Sequence, residues 1–155
     1  MNEVKSAVAS VIRRQFLRFS FYGAAQLRVA DKAMRAHTVR IRQLTRRSRG
    51  RSIAQVVQAL QVYMRGWLGY FQASETPGVF TKLDQWLRHR LRALHLKHWK
   101  RGRTIYAALR RLGASHSDAD LVARNARCWW ANSAKLPNRA LPIAYFDALG
   151  VPRLV

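Results

Sequence analysis

Between Asp31 and Glu75, and again between Asp84 and Asp118, the sequence contains no acidic residue. Residues 32–51 alone carry eight Lys/Arg, and the second stretch carries nine together with His89, His95, His98 and His116. Solvated helices ordinarily intersperse both signs and gain from pairs four residues apart. Helices drawn from these stretches forgo that gain, so they must be held by apolar packing. The apolar stripes are present. Ile53, Val56, Val57, Leu60, Met64, Trp67, Leu68 and Phe71 recur at the 3.6-residue period, and Leu83, Leu87, Leu91 and Leu94 form a second stripe. This combination points to helices packed on a shared core with cationic outer faces.

Composition narrows the class. The 155 residues include 29 Lys+Arg and 7 Asp+Glu, a formal net charge of +22, and 49% are hydrophobic. That is too apolar for a disordered basic tail, and the length suits one domain or one domain with an appendage. The charge excludes cationic ligands and calls for a polyanionic partner. No apolar run approaches the roughly 20 residues that span a bilayer, and residues 1–13 lack a signal-peptide pattern. Cys128 is the single cysteine, so neither an intrachain disulfide nor a cysteine-based zinc site can form. A cytoplasmic protein with no membrane contact is expected.

The chain begins with a β element. Leu17, Phe19 and Phe21 alternate with Arg18, Ser20 and Tyr22, the period of a half-buried strand. Gly23-Ala24-Ala25 turns the chain into a returning strand over residues 26–30. Asp31 is placed to cap a helix running to about Arg47, and Ser52 to cap the next. A third helix spans about residues 79–100, with Arg88, Arg92 and His95 along one side and Arg90 and Lys97 on another. After Gly102 come short helices: residues 104–112 closed by Gly113, one capped by Ser117, and a last one over about 138–149 closed by Gly150. The expected fold is mainly α: a short β-hairpin, an antiparallel three-helix bundle and a basic tail of short helices. The corresponding segments are residues 1–31, 32–101 and 102–155.

Catalytic chemistry is poorly supplied. The seven acids are Glu3, Asp31, Glu75, Asp84, Asp118, Asp120 and Asp147. Asp118 and Asp120 are the one close pair, and they read as first-turn acids complementing a helix dipole. His89, His95 and His98 lack a carboxylate or thiolate at ligand spacing and sit among cations, so no metal and no cofactor is expected. Phosphate loops and nucleophile elbows are absent from the sequence. Binding remains.

Specific motifs then carry a resemblance. Phe16-Leu17-x-Phe19-Ser20-Phe21, Ile41-Arg42-x-Leu44-Thr45, Arg65-Gly66-Trp67-x-x-Tyr70-Phe71 and Leu83-Asp84-x-Trp86-Leu87-x-x-Arg90-Leu91-Arg92 follow in order, with Trp99-Lys100-Arg101 behind them. Trp130-x-x-Ser133 and Tyr145-Phe146-x-x-Leu149-Gly150 complete the series. Together they resemble the C-terminal part of group II intron reverse transcriptases, the maturase-specific region known as domain X or the thumb. The resemblance covers residues 16–154. It implies that the hairpin is the last piece of a polymerase palm and that the three helices are the thumb. In that family the thumb lies against intron RNA and the template–primer duplex, and the following basic segment assists DNA target binding. Gly66, Trp67, Tyr70, Phe71, Leu83, Asp84 and Trp86 are the motif's structural residues, with Gly66 read as a point of close helix approach and Trp67 and Trp86 as core aromatics.

This sequence also departs from the family. The paired aspartates of the reverse transcriptase motif and any endonuclease motif are missing, so no enzyme activity is expected. Arg18 stands where the family usually has Gly, Gly69 where it often has Asn, and residues 1–15 have no counterpart. The expected function is non-catalytic binding and stabilisation of group II intron RNA or other structured RNA. Arg40, Arg42, Arg46, Arg47, Arg49, Arg51, Arg65, Arg88, Arg90, Arg92, Lys97, Lys100, Arg101 and Arg103 are the expected phosphate contacts, and replacing Arg88 and Arg92 by Gln is expected to spare the fold. The alternatives are a general basic DNA/RNA-binding protein, an inactive mobile-element remnant, and the thumb subunit of a reverse transcriptase completed by a separate palm-containing chain.

Overall fold

The computed structural model describes residues 15–22, 26–47, 50–75, 77–135 and 140–154. Expectations for residues 1–14, the Gly23-Ala24-Ala25 turn and Arg49 fall outside them. The fold is mainly α with an initial antiparallel sheet, as the periodicities imply. Strands β1 (Gln15–Phe16), β2 (Phe19–Tyr22) and β3 (Gln26–Val29) are followed by helices α1 (Asp31–Leu44), α2 (Ile53–Phe71) and α3 (Pro77–Trp99). The shorter helices α4 (Gly102–Arg111), α5 (His116–Arg124), α6 (Trp129–Lys135) and α7 (Ile143–Ala148) complete the described chain.

The sheet has the order β1-β2-β3, one strand more than the expected hairpin. Phe16 pairs with Phe19, so Leu17 and Arg18 form a two-residue connection. Both have positive φ, 47° and 68°, as the tightest hairpin turns require. Arg18 thus occupies a left-handed position that costs an L-residue about 1–2 kcal/mol, which explains why glycine suits it. Leu17 consequently points to solvent at 67% exposure, while Ser20 is buried and its hydroxyl accepts from Arg28 Nε at 2.9 Å. The simple alternation therefore breaks at the turn.

Local chemistry sets the helix ends. Ser52 caps α2 as expected: its Oγ accepts from the Gln55 backbone N–H at 3.2 Å and its own N–H donates to Gln55 Oε1 at 2.9 Å. Asp31 is instead the first residue of α1, with Ala30 at the cap, and its carboxylate serves the helix dipole. That helix stops at Leu44, where Thr45 Oγ1 donates back to the Ile41 carbonyl at 2.7 Å. Ser115 rather than Ser117 caps α5, accepting from Asp118 N–H at 3.0 Å. Pro142 is at the cap position of α7 and so sets its late start.

One apolar core joins α1, α2 and α3. Ile41 and Leu44 meet Val56, Leu60, Met64, Trp67 and Phe71, and Leu87, Leu91 and Leu94 close the third side. Leu141, Phe146, Val151 and Leu154 belong to the same core, so the C-terminal stretch is packed into the bundle. A second cluster gathers Leu96 at the end of α3 with Ile105, Leu109, Ala119, Val122 and Ala140. There α4 and α5 come so close that a Cβ at Gly102 would lie 2.6 Å from the Ala123 carbonyl oxygen. Gly66 is the reverse case. Nothing stands within 4 Å of a Cβ built there, so the expected close helix approach is not found.

His37 is fully buried between α1 and α2, its ring centroid 3.9 Å from that of Trp67 and its Nδ1 3.0 Å from Tyr63 Oη. Burial lowers its pKa to about 4. His95 is held at about 4 by burial, with a smaller push from His98. Both remain neutral in the fold while the unfolded chain protonates near pH 6.5.

Two predictions follow from this packing. Gly66→Ala raises stability by about 1 kcal/mol through helix propensity, whereas Gly102→Ala lowers it by about 1–3 kcal/mol through overpacking; urea unfolding of both variants distinguishes the two sites. Between pH 6.5 and 4 the unfolded chain binds protons that the two folded histidines refuse, so stability falls as pH falls, by about 3 kcal/mol per histidine. Unfolding curves at pH 7 and 4.5 should separate clearly, and the separation should shrink in His37→Gln.

Candidate nucleic-acid interface

Two indole rings organise the cations at the end of α1 and along α3. Trp86 is half-buried rather than fully in the core. The guanidinium carbon of Arg90 lies 5.2 Å from its ring centroid and that of Arg42 lies 5.7 Å away. Arg90 is further held by α1: its Nε donates to Thr45 Oγ1 at 2.8 Å and its Nη2 to the Arg42 carbonyl at 3.5 Å. A cation thus meets the negative end of α1. Trp129, at the start of α6, repeats the pattern. Lys97 Nζ lies 3.9 Å from its ring centroid and Arg47 Cζ 5.9 Å away. Each such contact contributes about 0.5–2 kcal/mol, more as it is desolvated.

The two groups are electrostatically joined. Burial, then Arg47, then Arg42 lower the pKa of Arg90. Mutual repulsion is therefore built into the folded surface. Arg42, Arg47, Arg90 and Lys97 have no ion-pair partner among the described residues. A polyanion is the chemistry that would relieve them, and guanidinium forks suit phosphate oxygens.

The other expected contacts have settings of their own. Arg46, Arg51, Lys100, Arg101 and Arg103 are exposed, with Lys100 in a left-handed turn (φ 58°) between α3 and α4. Arg40 is exposed and donates to Gln43 Oε1 at 3.2 Å; it lies near enough to Tyr63 to oppose the burial that raises the phenol's pKa. Arg65 lies on the exposed side of α2, beside Gly66 and Gly69. Trp67 and Phe71 are core, Leu83 packs against that core, and Tyr70 is 48% exposed with its hydroxyl donating to the Leu17 carbonyl at 2.7 Å. Trp129 was not among the expected site residues. Its only sequence signal is the adjacent pair Trp129-Trp130 behind a basic stretch.

Arg88 and Arg92 correct the reading of α3. They are 1% and 9% exposed, so neither forms part of an outer cationic face. Arg88 Nε donates to Asp84 Oδ2 at 3.3 Å, and its Nη2 to Asp84 Oδ1, Asp147 Oδ1 and the Pro152 carbonyl at 3.3–3.4 Å. Arg92 Nε donates to the Leu141 carbonyl at 2.9 Å. The physical reason is the returning C-terminal stretch, which covers this side of α3 and supplies acceptors for both. Among the described residues no three His, Cys, Asp or Glu side chains gather to hold a metal ion, and no helix is long and apolar enough to cross a membrane.

Arg88→Gln should therefore cost about 3–5 kcal/mol, because it leaves the Asp84 carboxylate, only 13% exposed, without its cation, while Asp147 keeps Arg153. Arg42→Gln on the exposed face should cost only about 0.5–1 kcal/mol, the exposed-site worth of its contact with Trp86. Equilibrium denaturation of the two variants checks this contrast.

Comparison with known families agrees with this architecture. No curated protein matches the chain. A family model described as the group II intron, maturase-specific domain matches residues 34–113. The matched span contains nearly all of α1, the whole of α2, α3 and α4, the core stripes of the three long helices, and the Arg42/Arg90–Trp86 group. Because it covers more than half of the sequence, the chain belongs to the group II intron maturase-specific domain family.

Proposed function

We propose that this chain is a non-catalytic RNA-binding domain that clamps structured group II intron RNA and stabilises the folded form needed for splicing. The observation that carries the reading is the Arg42, Arg47, Arg90 and Lys97 cluster, set over Trp86 and Trp129 with no ion-pair partner among the described residues. Phosphate contacts of this kind position the protein and carry little sequence information. Preference for one RNA would then come from its shape and from unstacked bases against half-exposed aromatics. Family membership supports intron RNA as the polyanion.

The reading is tested by measuring affinity for a group II intron RNA, an unrelated structured RNA and duplex DNA across a salt series. Intron RNA should bind most tightly, and affinity should fall linearly in log–log form as salt rises. The triple variant Arg42→Gln, Arg47→Gln, Lys97→Gln should reduce the slope by roughly one per residue removed. Equal affinity for all three nucleic acids at every salt concentration would reject the intron-specific role. An unchanged slope in the triple variant would move the contact to another face.

A further inference from the structure

On the side of α3 that carries Arg88 and Arg92, a cleft of about 370 Å³ is lined by Gln85, Arg88, His89 and Arg92 of α3, Ser133 of α6 and Ile143 of α7. This volume falls at the lower end of small-molecule sites, about 300–1,000 Å³. Two guanidinium groups and an imidazole line it, and among the described residues no carboxylate does. The residue types alone make it a pocket for an anion.

The bonding of the two arginines sharpens this. Arg88 has two carboxylate partners, Asp84 and Asp147, yet its buried Nη1 has no acceptor. Arg92, one turn later and 9% exposed, has a single bond from Nε to the Leu141 carbonyl and no ion-pair partner among the described residues. Both guanidinium carbons lie over the Phe146 ring, at 5.9 and 5.8 Å from its centroid, so two cations share one apolar wall. Asp147, the carboxylate of α7, is already committed to Arg88 and to Arg153, whose Nη2 lies 2.6 Å from Oδ2. Burial and the neighbouring Arg88 both lower the pKa of Arg92, the mark of a cation lacking a counter-charge. His89 Nε2 donates to the Trp130 carbonyl at 3.0 Å, and since a carbonyl only accepts, Nε2 carries the proton. The His89 ring stacks on Trp130 with centroids 3.8 Å apart.

We propose that this cleft is a phosphate-binding site in which the terminal amino groups of Arg92, which have no partner among the described residues, grip the phosphate oxygens. The ligand is one phosphate group, either free in solution or part of an RNA backbone passing the mouth of the cleft. Planar guanidinium geometry favours two parallel bonds to such an oxyanion. The site does not depend on the outer Trp86 and Trp129 face, and inorganic phosphate alone suffices as its probe.

The test measures the thermal midpoint of the full chain in inorganic phosphate and in chloride at equal ionic strength. At a hundredfold excess over its dissociation constant, phosphate should raise the midpoint by about 5–10 °C. Arg92→Met should abolish that rise, and the triple variant of the outer face should retain it. Because Arg92→Met can itself impair folding, Ile143→Trp provides a second variant that fills the cleft and leaves both arginines in place; it too should lose the phosphate response. A response that persists in both cleft variants, or is absent from the unaltered chain, overturns the proposal. RNA affinity distinguishes the two sources: a backbone phosphate in the cleft makes Ile143→Trp lower the salt slope by about one, whereas a free phosphate leaves the slope unchanged while the thermal response is lost.

Discussion

The buried guanidinium of Arg88 ties the C-terminal stretch to the helical bundle. Asp84 holds it from the preceding turn of α3, Asp147 from α7, and the Pro152 carbonyl from the final residues. Asp84 Oδ1 also accepts from the Leu154 backbone N–H at 3.4 Å. Around this polar knot, Phe146, Val151 and Leu154 complete an apolar core begun by α1, α2 and α3. A buried charge is costly unless it is paired and hydrogen-bonded. The last residues are therefore part of the bundle's electrostatic support.

This arrangement also accounts for how so few acids serve so basic a chain. Two of the seven carboxylates are used on Arg88, while Asp120 pairs with Arg124 on the exposed side of α5. Among the described residues, the cations near Trp86 and Trp129 have no carboxylate partner and are accommodated by ring faces instead. An indole partly compensates a cation without neutralising it. Such a surface keeps its attraction for phosphate, which a surface of salt bridges would lose.

Much of the architecture was legible in the residues. The stripe from Ile53 to Phe71 identifies α2 because burial every 3.6 residues leaves few alternatives, and Ser52 with Gln55 marks its start. The motifs around Trp67 and Trp86 led to the family that residues 34–113 match. The assignment of individual arginines was less legible. Arg88, Arg90 and Arg92 are close neighbours on one helix, yet one is locked inside, one spans the end of α1, and one lines a cleft. Helical spacing assigns each a direction, but what lies in that direction comes from α1, α6 and α7. Gly66 failed for a similar reason, since a glycine in a helix does not reveal whether another helix approaches.

By itself, the sequence determined a cationic, mainly helical domain, because its apolar spacing and its missing acids are local facts that no later folding alters. It also determined the family, through motifs whose order survives in the linear chain. Tertiary structure alone decided which charges became interior and which remained available. That decision depends on residues separated by long stretches of chain, such as Arg88 from Asp147 and Lys97 from Trp129. Desolvation and pairing are set by what the fold brings around a side chain, and the side chain's identity does not contain that information.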